Sequence, residues 1–294
     1  MIQLQNVEFG YDKNRKLFNG VNLQLEPGHM YGLLGRNGAG KTTLLKIMTG
    51  LLFPQSGDAF IDGEPAYKRT AQQMSDIYFL QEEIYVPHLK INQFEDAFAP
   101  FYPNFNHEQF VEYLREMEMN HMLGFIDKFS HGQKKKVMIA FALATNVPLL
   151  IMDEPTNGLD IPTKSIFRKM MAAYADEQKT VLISTHQVRD LYSLIDAVSI
   201  IDNGRMIFNA PCDVITEKLL FDRDNEITNK YKEEMEKEGK AEMVKEGKLY
   251  YTDETPRGVL QVKENVNHLD SSLDLELLFN ASVLNKNEFT EMFK

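Results

Sequence analysis

Gly35-Arg36-Asn37-Gly38-Ala39-Gly40-Lys41-Thr42, GRNGAGKT, has the spacing GxxxxGK[ST]. A short apolar run, Met30 to Leu34, leads into it, and a helix-like stretch from Lys41 to about Thr49 leads out, with Gly50 placed to stop the helix. Strand, glycine-rich turn and helix together give this spacing its physical meaning. Glycines let the backbone wrap a phosphate group without Cβ clashes. Several N–H groups then point inward, and the helix N-terminus adds positive potential. Lys41 is expected to reach the β- and γ-phosphates of a nucleotide, and Thr42 to offer its hydroxyl to Mg²⁺.

Downstream, Leu149 to Pro155 (LLIMDEP) reads as an apolar strand that delivers Asp153 and Glu154 at its C-terminal end. Ligands of open α/β sheets bind at that end. Asp153 suits Mg²⁺, directly or through water, and Glu154 suits polarising an attacking water. Further strands are expected at Ile2 to Phe9, Ala59 to Ile61, Val181 to Ser184 and Val198 to Ile201. Strands alternating with helices imply an α/β fold with a largely parallel sheet covered on both faces. Residues 82–130 interrupt this rhythm. They are dense in aromatics (Phe94, Phe98, Phe101, Tyr102, Phe105, Phe110, Tyr113) and broken by Pro87, Pro100 and Pro103, and they read as a helical insertion.

Composition bounds the remaining classes. The chain has 294 residues, 43% of them apolar, enough for one large α/β unit and an appendage. A net charge of −11 speaks against a nucleic-acid partner, and none is expected. Cys212 is the single cysteine, so no internal disulfide forms, and the seven histidines show no metal-ligand spacing. MIQLQNVEFG lacks the basic start and apolar core of a signal peptide. A membrane span needs ~20 apolar residues. The nearest candidate, Val137 to Met152, is broken by Thr145, Asn146 and Pro148 and reads as a buried helix, a turn and a core strand.

With both motifs in place, the chain resembles the nucleotide-binding subunit of an ABC transporter from about Ile2 to Asp213. The motifs fall in that family's order. Gln81 stands at the Q-loop glutamine, which senses Mg²⁺ and the partner subunit. Phe129 to Gln133 (FSHGQ) stands at the LSGGQ signature, and Asn157 to Asp160 (NGLD) matches the D-loop. His186 matches the switch histidine, and Tyr11 matches the A-loop aromatic that stacks on adenine. The resemblance implies a P-loop NTPase cassette with a mainly parallel core sheet, an N-terminal antiparallel β portion and a helical insertion at about 82–130. Its cofactors are ATP and Mg²⁺.

Catalysis is then expected from Glu154, His186 and Gln81. The nucleotide is expected to lie against Tyr11, Gly35, Asn37, Gly38, Ala39, Gly40, Lys41, Thr42 and Thr43, and the metal against Thr42, Gln81 and Asp153. Two cassettes pair about a two-fold axis. In that pairing Ser130, Gly132 and Gln133 of one complete the γ-phosphate site of the other, and Asp160 of the D-loop is a further nucleotide-binding residue. His131 replaces the signature's first glycine. The plain expectation turns its ring to solvent; the sharper one is a weakened or pH-sensitive signature, or a preference for a different cassette as partner.

FAPFYPNF (Phe98 to Phe105) and LDLELLFNA (Leu273 to Ala281) resemble a bacterial group of stand-alone ATPases paired with ABC-2-type membrane subunits, usually exporters. The resemblance implies a separate transmembrane permease as partner and a cytoplasmic location on the inner face of the cell membrane. A soluble ABC ATPase without a transporter, such as the iron–sulfur-assembly type, is the alternative. The cassette is expected over 1–213 and a small α+β extension, regulatory or dimerising, over 214–294. In that extension 222–248 is polar and reads as an exposed helix or connector, and Tyr250 to Val262 as a hairpin. Leu273 to Phe293 reads as one final helix, with Ser271 and Asp274 as a capping box. Its leucines need cover, from the chain's own cassette or from the same helix of a second subunit; partial contact with the second subunit is favoured, since it would keep two cassettes together between ATP cycles.

Overall fold

Hydrophobic alternation sets the first sheet. Ile2–Phe9 (β1) and Phe18–Leu25 (β2) pair antiparallel, Ile2 opposite Leu25 and Phe9 opposite Phe18. The computed structural model describes residues 1–12, 15–119, 124–188, 191, 194–238, 240–256 and 258–294. Part of the expected insertion, 120–123, and position 239 in the polar stretch lie outside the described residues. The chain divides into two compact units, Met1–Ile195 with Ile201–Met206, and Asp196–Ile200 with Ile207–Lys294.

In the first unit Met30–Leu34 (β3) and Lys41–Met48 (α1) flank the glycine-rich loop. Ser56–Ile61 (β4) pairs with the free edge of β1, and Glu64–Pro65 (β5) with β4. Ala71–Asp76 (α2) leads into Ile77–Leu80 (β6). Ile91–Phe98 (α3), His107–Glu116 (α4) and His131–Ala144 (α5) come next. Leu149–Asp153 (β7), Ile161–Tyr174 (α6) and Thr180–Thr185 (β8) complete the core. Strands β6, β7, β8 and β3 lie side by side in that order and all parallel. Every residue of β3, β7 and β8 is buried, as two-sided coverage of a parallel sheet requires.

The register decides where chemistry collects. Leu80 faces Met152, Met152 faces Ile183, Asp153 faces Ser184, and Leu34 faces Thr185. Four carboxyl ends therefore finish level. They release Gln81, Glu154, His186 and Gly35 at one edge of the sheet.

The aromatic-rich insertion is in good part core. Phe141 on α5 is ringed by Tyr78, Phe94, Tyr102, Phe105 and Phe110, with centroid distances of 5.0–6.1 Å. Such offset and edge-on contacts are the favourable geometries for aromatic pairs. Tyr85 and Phe101 remain exposed.

Ala197–Asp202 (β9) and Arg205–Pro211 (β10) have their shared turn in the first unit and their outer ends in the second. Cys212–Lys218 (α7), Leu219–Arg223 (β11) and Glu226–Lys237 (α8) follow. Helix α8 has no buried residue, in keeping with its polar sequence. Leu249–Thr255 (β12) and Gly258–Glu264 (β13) form the expected hairpin, and β11 adds to it in the order β11-β13-β12.

The final helix departs from the sequence reading in two ways. It is two helices, Leu275–Leu284 (α9) and Lys286–Met292 (α10). Its cap is Asp274 alone, which accepts from the N–H groups of Glu276 and Leu277, while the Ser271 hydroxyl accepts from the Phe221 N–H. Leu275, Leu277, Leu278, Ala281 and Phe289 are buried, Phe289 against the rings of Tyr250, Phe208 and Phe293.

Candidate active site

The glycine-rich loop takes its path because side chains do not fit along it. Gly40, at the N-cap of α1, has φ +100°, and a Cβ there would stand 2.6 Å from the Phe18 ring. Gly38 has φ +79° and open space beyond it, so a phosphate group can approach its backbone closely. Lys41, 8% exposed, folds back over the loop. Its Nζ donates to the Gly35 carbonyl at 2.9 Å and lies 3.6 Å from Glu154 Oε1.

Asp153 and Glu154, adjacent in sequence, are held in different ways. Asp153 is fully buried at the end of β7. Thr42 Oγ1 donates to its Oδ2 at 2.5 Å, and the Ser184 hydroxyl donates to its Oδ1. Burial pushes its carboxyl pKa up, against the two hydroxyl bonds that pull it down. Glu154 turns out of the strand at φ +47°, a region costly for a residue with a long side chain and one that collects at functional sites. Its N–H donates to the Ser184 carbonyl at 3.0 Å.

That turn swings the Glu154 carboxylate between β8 and the residues after it. Thr185 Oγ1 donates to Oε2 at 3.0 Å. The His186 N–H donates to Oε1 at 3.0 Å, and His186 Nδ1 lies 2.8 Å from the same oxygen. A carboxylate oxygen only accepts, so Nδ1 donates in this pair and Nε2 is the ring's accepting nitrogen.

Gln81, half-buried, follows β6 directly and stands one residue past the Leu80–Met152 pair, as Asp153 does. Tyr11 is 71% exposed. Its ring stands T-shaped to that of Phe9, centroids 5.0 Å apart, and its hydroxyl is hydrogen-bonded with Thr43 Oγ1 at 2.9 Å.

The signature and D-loop residues form a second cluster, at the N-termini of α5 and α6. Ser130 caps α5, accepting from the Gln133 N–H, while Gln133 Oε1 accepts from the Ser130 N–H at 2.9 Å. Asp160 caps α6 and accepts from the Thr163 N–H at 2.8 Å. Hydrogen bonds from Thr163 hold its carboxyl below the usual range. The His131 side chain is exposed, as the plain expectation has it, with one ring edge turned to a neighbouring loop. Its Cδ2 would stand 3.1 Å from a Cβ on Gly158, so the ring edge rests against the D-loop glycine.

Gly158→Ala should therefore lower stability by about 1–2 kcal/mol, since φ is +81° there. The loss should shrink when His131 is also glycine, by ~0.5 kcal/mol or more. Urea unfolding of the two single variants and the double variant measures this coupling. Strictly additive losses would show that the ring does not rest on Gly158.

Sequence reasoning missed Ser184, Thr185 and Lys135. The hydroxyls act only through the β7–β8 register, which is non-local. Lys135 is fully buried, and its Nζ donates to the carbonyls of Glu154 at 2.7 Å and Asn157 at 3.1 Å. Its signal was periodicity, for Lys135 shares a helix face with the buried Ile139 and Ala142.

Comparison with known proteins agrees with this geometry. A family model described as ABC transporter matches residues 18–157. The ABC transporter ATP-binding protein NatA of Bacillus subtilis is 32% identical over 208 residues, 69% of this chain and 85% of that protein. The lantibiotic transport ATP-binding protein SrtF of Streptococcus pyogenes is 31% identical over 229 residues, 72% of this chain and 92% of that one. Among solved structures, an ATP-binding subunit of an ABC transporter superposes with a TM-score of 0.66 at 26% identity, covering 73% of this chain and 91% of that one. A dimeric cassette in a post-hydrolysis state with ADP and Pi shares the fold, with a TM-score of 0.63 at 24% identity over 72% of this chain and 98% of that one.

Proposed function

The chain belongs to the ABC transporter ATP-binding subunits and is an ATPase, and from that premise we propose that it powers a separate membrane-spanning subunit in the direction of export. The observation that carries the site is the meeting of Lys41, Thr42, Asp153, Glu154 and His186 at the ends of β3, β7 and β8. Lys41 and the loop N–H groups bind the phosphates of ATP, and Tyr11 stacks on the base with its hydroxyl anchored on Thr43. Glu154 accepts the proton of the attacking water, and His186 steadies that carboxylate while turning Nε2 to the γ-phosphate.

The donor set fits a hard divalent cation. Asp153 is buried between two hydroxyls, and among the described residues no cluster of three or more His, Cys, Asp or Glu forms a ready-made cage. Mg²⁺ is ordinarily held in this way, by one or two carboxylates together with substrate phosphates. Thr42, Asp153 and Gln81 would hold it, and when bound it neutralises charge on the phosphates.

A second cassette would supply Ser130, Gly132, Gln133 and Asp160 across a two-fold interface, so that ATP closes the pair and hydrolysis releases it. Two helix N-termini presented together suit an anionic phosphate. The segment from about 214 on carries no nucleotide motif and acts as an appended module. No helix among the described residues is long and apolar enough to cross a membrane, so the membrane work needs a partner. Exposed Tyr85 and Phe101 beside the Gln81 segment are the surface for it. Resemblance of 98–105 and 273–281 to the exporter group supports the direction.

Affinity capture of the full chain from detergent-solubilised membranes of its native host tests the reading. A multi-span membrane protein is expected to co-purify and to raise the ATPase rate when both are placed in vesicles. Enrichment of soluble scaffold proteins with no membrane protein would overturn it in favour of an assembly ATPase.

A further inference from the structure

Lys135 is a lysine with no exposure to water, on a helix whose neighbouring positions Lys134 and Lys136 reach the surface in part. Burying an amine is costly unless its hydrogen bonds are made inside. Both bonds go to one stretch of backbone, the carbonyls of Glu154 and Asn157. That stretch needs donors. It leaves β7 through Glu154 at φ +47° and turns its carbonyls inward, with Asn157 N–H closing the turn onto the Glu154 carbonyl at 3.2 Å.

The tie extends in two directions. Asn157 Nδ2 donates to Glu82 Oε1 at 3.0 Å, beside Gln81. One helical turn before Lys135, the His131 ring edge rests on Gly158, and Gly132 lies so close that a Cβ would stand 3.2 Å from the Gly158 carbonyl oxygen. Helix α5 is thus pinned to residues 154–158 at two successive turns, and the first of those turns holds Ser130 and Gln133. Burial pulls the Lys135 amine's pKa down while the carboxylates of Glu82, Glu154 and Asp153 pull it up. Charged or neutral, the amine has at least two N–H donors, enough for both carbonyls.

We propose that Lys135 is a positioning residue for ATP hydrolysis, whose two hydrogen bonds keep the Glu154 carboxylate aimed and lock that aim to the helix that carries the signature residues. In the paired-cassette reading above, on which this rests, Glu154 serves the chain's own ATP while Ser130 to Gln133 serve the ATP of the other subunit. Lys135 is then the link through which occupancy of one site sets the geometry of the other.

The test uses the full chain and four variants: Lys135→Met, Lys135→Gln, Glu154→Gln and the Lys135→Met/Glu154→Gln pair. Steady-state hydrolysis gives kcat and KM, and equilibrium dialysis gives ATP affinity. Lys135→Met keeps the side chain's bulk and removes both donors. It should lower kcat roughly ten- to hundredfold, as small misplacements of a catalytic group do, with ATP affinity within about threefold of the parent. Lys135→Gln restores two N–H donors without the charge and should return kcat to within about threefold of the parent.

Because Lys135 acts through Glu154, adding Lys135→Met to Glu154→Gln should change the residual rate little. Overturning results are a Met variant as fast as the parent, a loss of ATP affinity that matches the loss of rate, or a Met substitution that slows Glu154→Gln by the same factor as it slows the parent. If the Met variant does not fold, the Gln variant decides: normal ATP binding with the rate lost overturns the proposal, and a near-parental rate supports it. A Glu154→Gln variant as fast as the parent would mark the failure as that of Glu154's own assignment, and the proposal would fall with it.

Discussion

Glu154→Gln is expected to bind ATP about as tightly as the parent and to hydrolyse it roughly a hundredfold more slowly, the cost of losing one well-placed group of about 3 kcal/mol in the transition state. The substitution preserves shape and replaces one of the two accepting oxygens with an NH₂ donor. In the parent, Oε1 accepts from the His186 N–H and sits 2.8 Å from Nδ1, and Oε2 accepts from the Thr185 hydroxyl. An amide has one accepting oxygen, so its NH₂ must face either His186 or Thr185. Its charge is also gone, so it neither polarises a water nor takes its proton. Lys41, 3.6 Å from Oε1, keeps its bond to the Gly35 carbonyl and stays available to the phosphates. With binding retained and turnover slowed, the closed pair of cassettes should accumulate in ATP. Light scattering with and without ATP measures the pair, and phosphate release measures the rate. An unchanged rate would remove Glu154 from the mechanism.

What the sequence disclosed was local. Lys41, Thr42, Asp153 and Glu154 sit at strand-to-turn junctions where a few neighbours dictate the backbone, so their meeting at the sheet's edge was legible from spacing alone. Thr185 and Ser184 acquire their roles only when β7 and β8 are aligned residue against residue, which no local pattern states. The final helix fails as one piece for a tertiary reason. Asn285 Nδ2 donates to the Tyr250 and Ala281 carbonyls, and a new helix starts after it, within the polar run Asn285 to Glu288.

Lys41→Ala is expected to weaken ATP binding roughly a hundredfold, and to do so at the binding step rather than at turnover. The amine is nearly enclosed, so its bonds to phosphate form away from bulk water, where charge-assisted bonds are each worth about 1.5–3 kcal/mol. A loss of about 3 kcal/mol corresponds to roughly a hundred- to two-hundredfold in Kd. A second effect has the same sign. With the amine gone, the Glu154 carboxylate loses the cation 3.6 Å away, and its uncompensated negative charge then opposes an incoming triphosphate. What remains, Tyr11 on its Thr43 anchor and the N–H groups around Gly38, still recognises a base and a phosphate, so residual binding is expected. Equilibrium dialysis with ATP and with adenosine separates these contributions: adenosine, which carries no phosphate, should bind parent and variant alike, while the ATP advantage over adenosine collapses. An ATP affinity within about threefold of the parent would mean that the phosphates are held elsewhere than over Lys41.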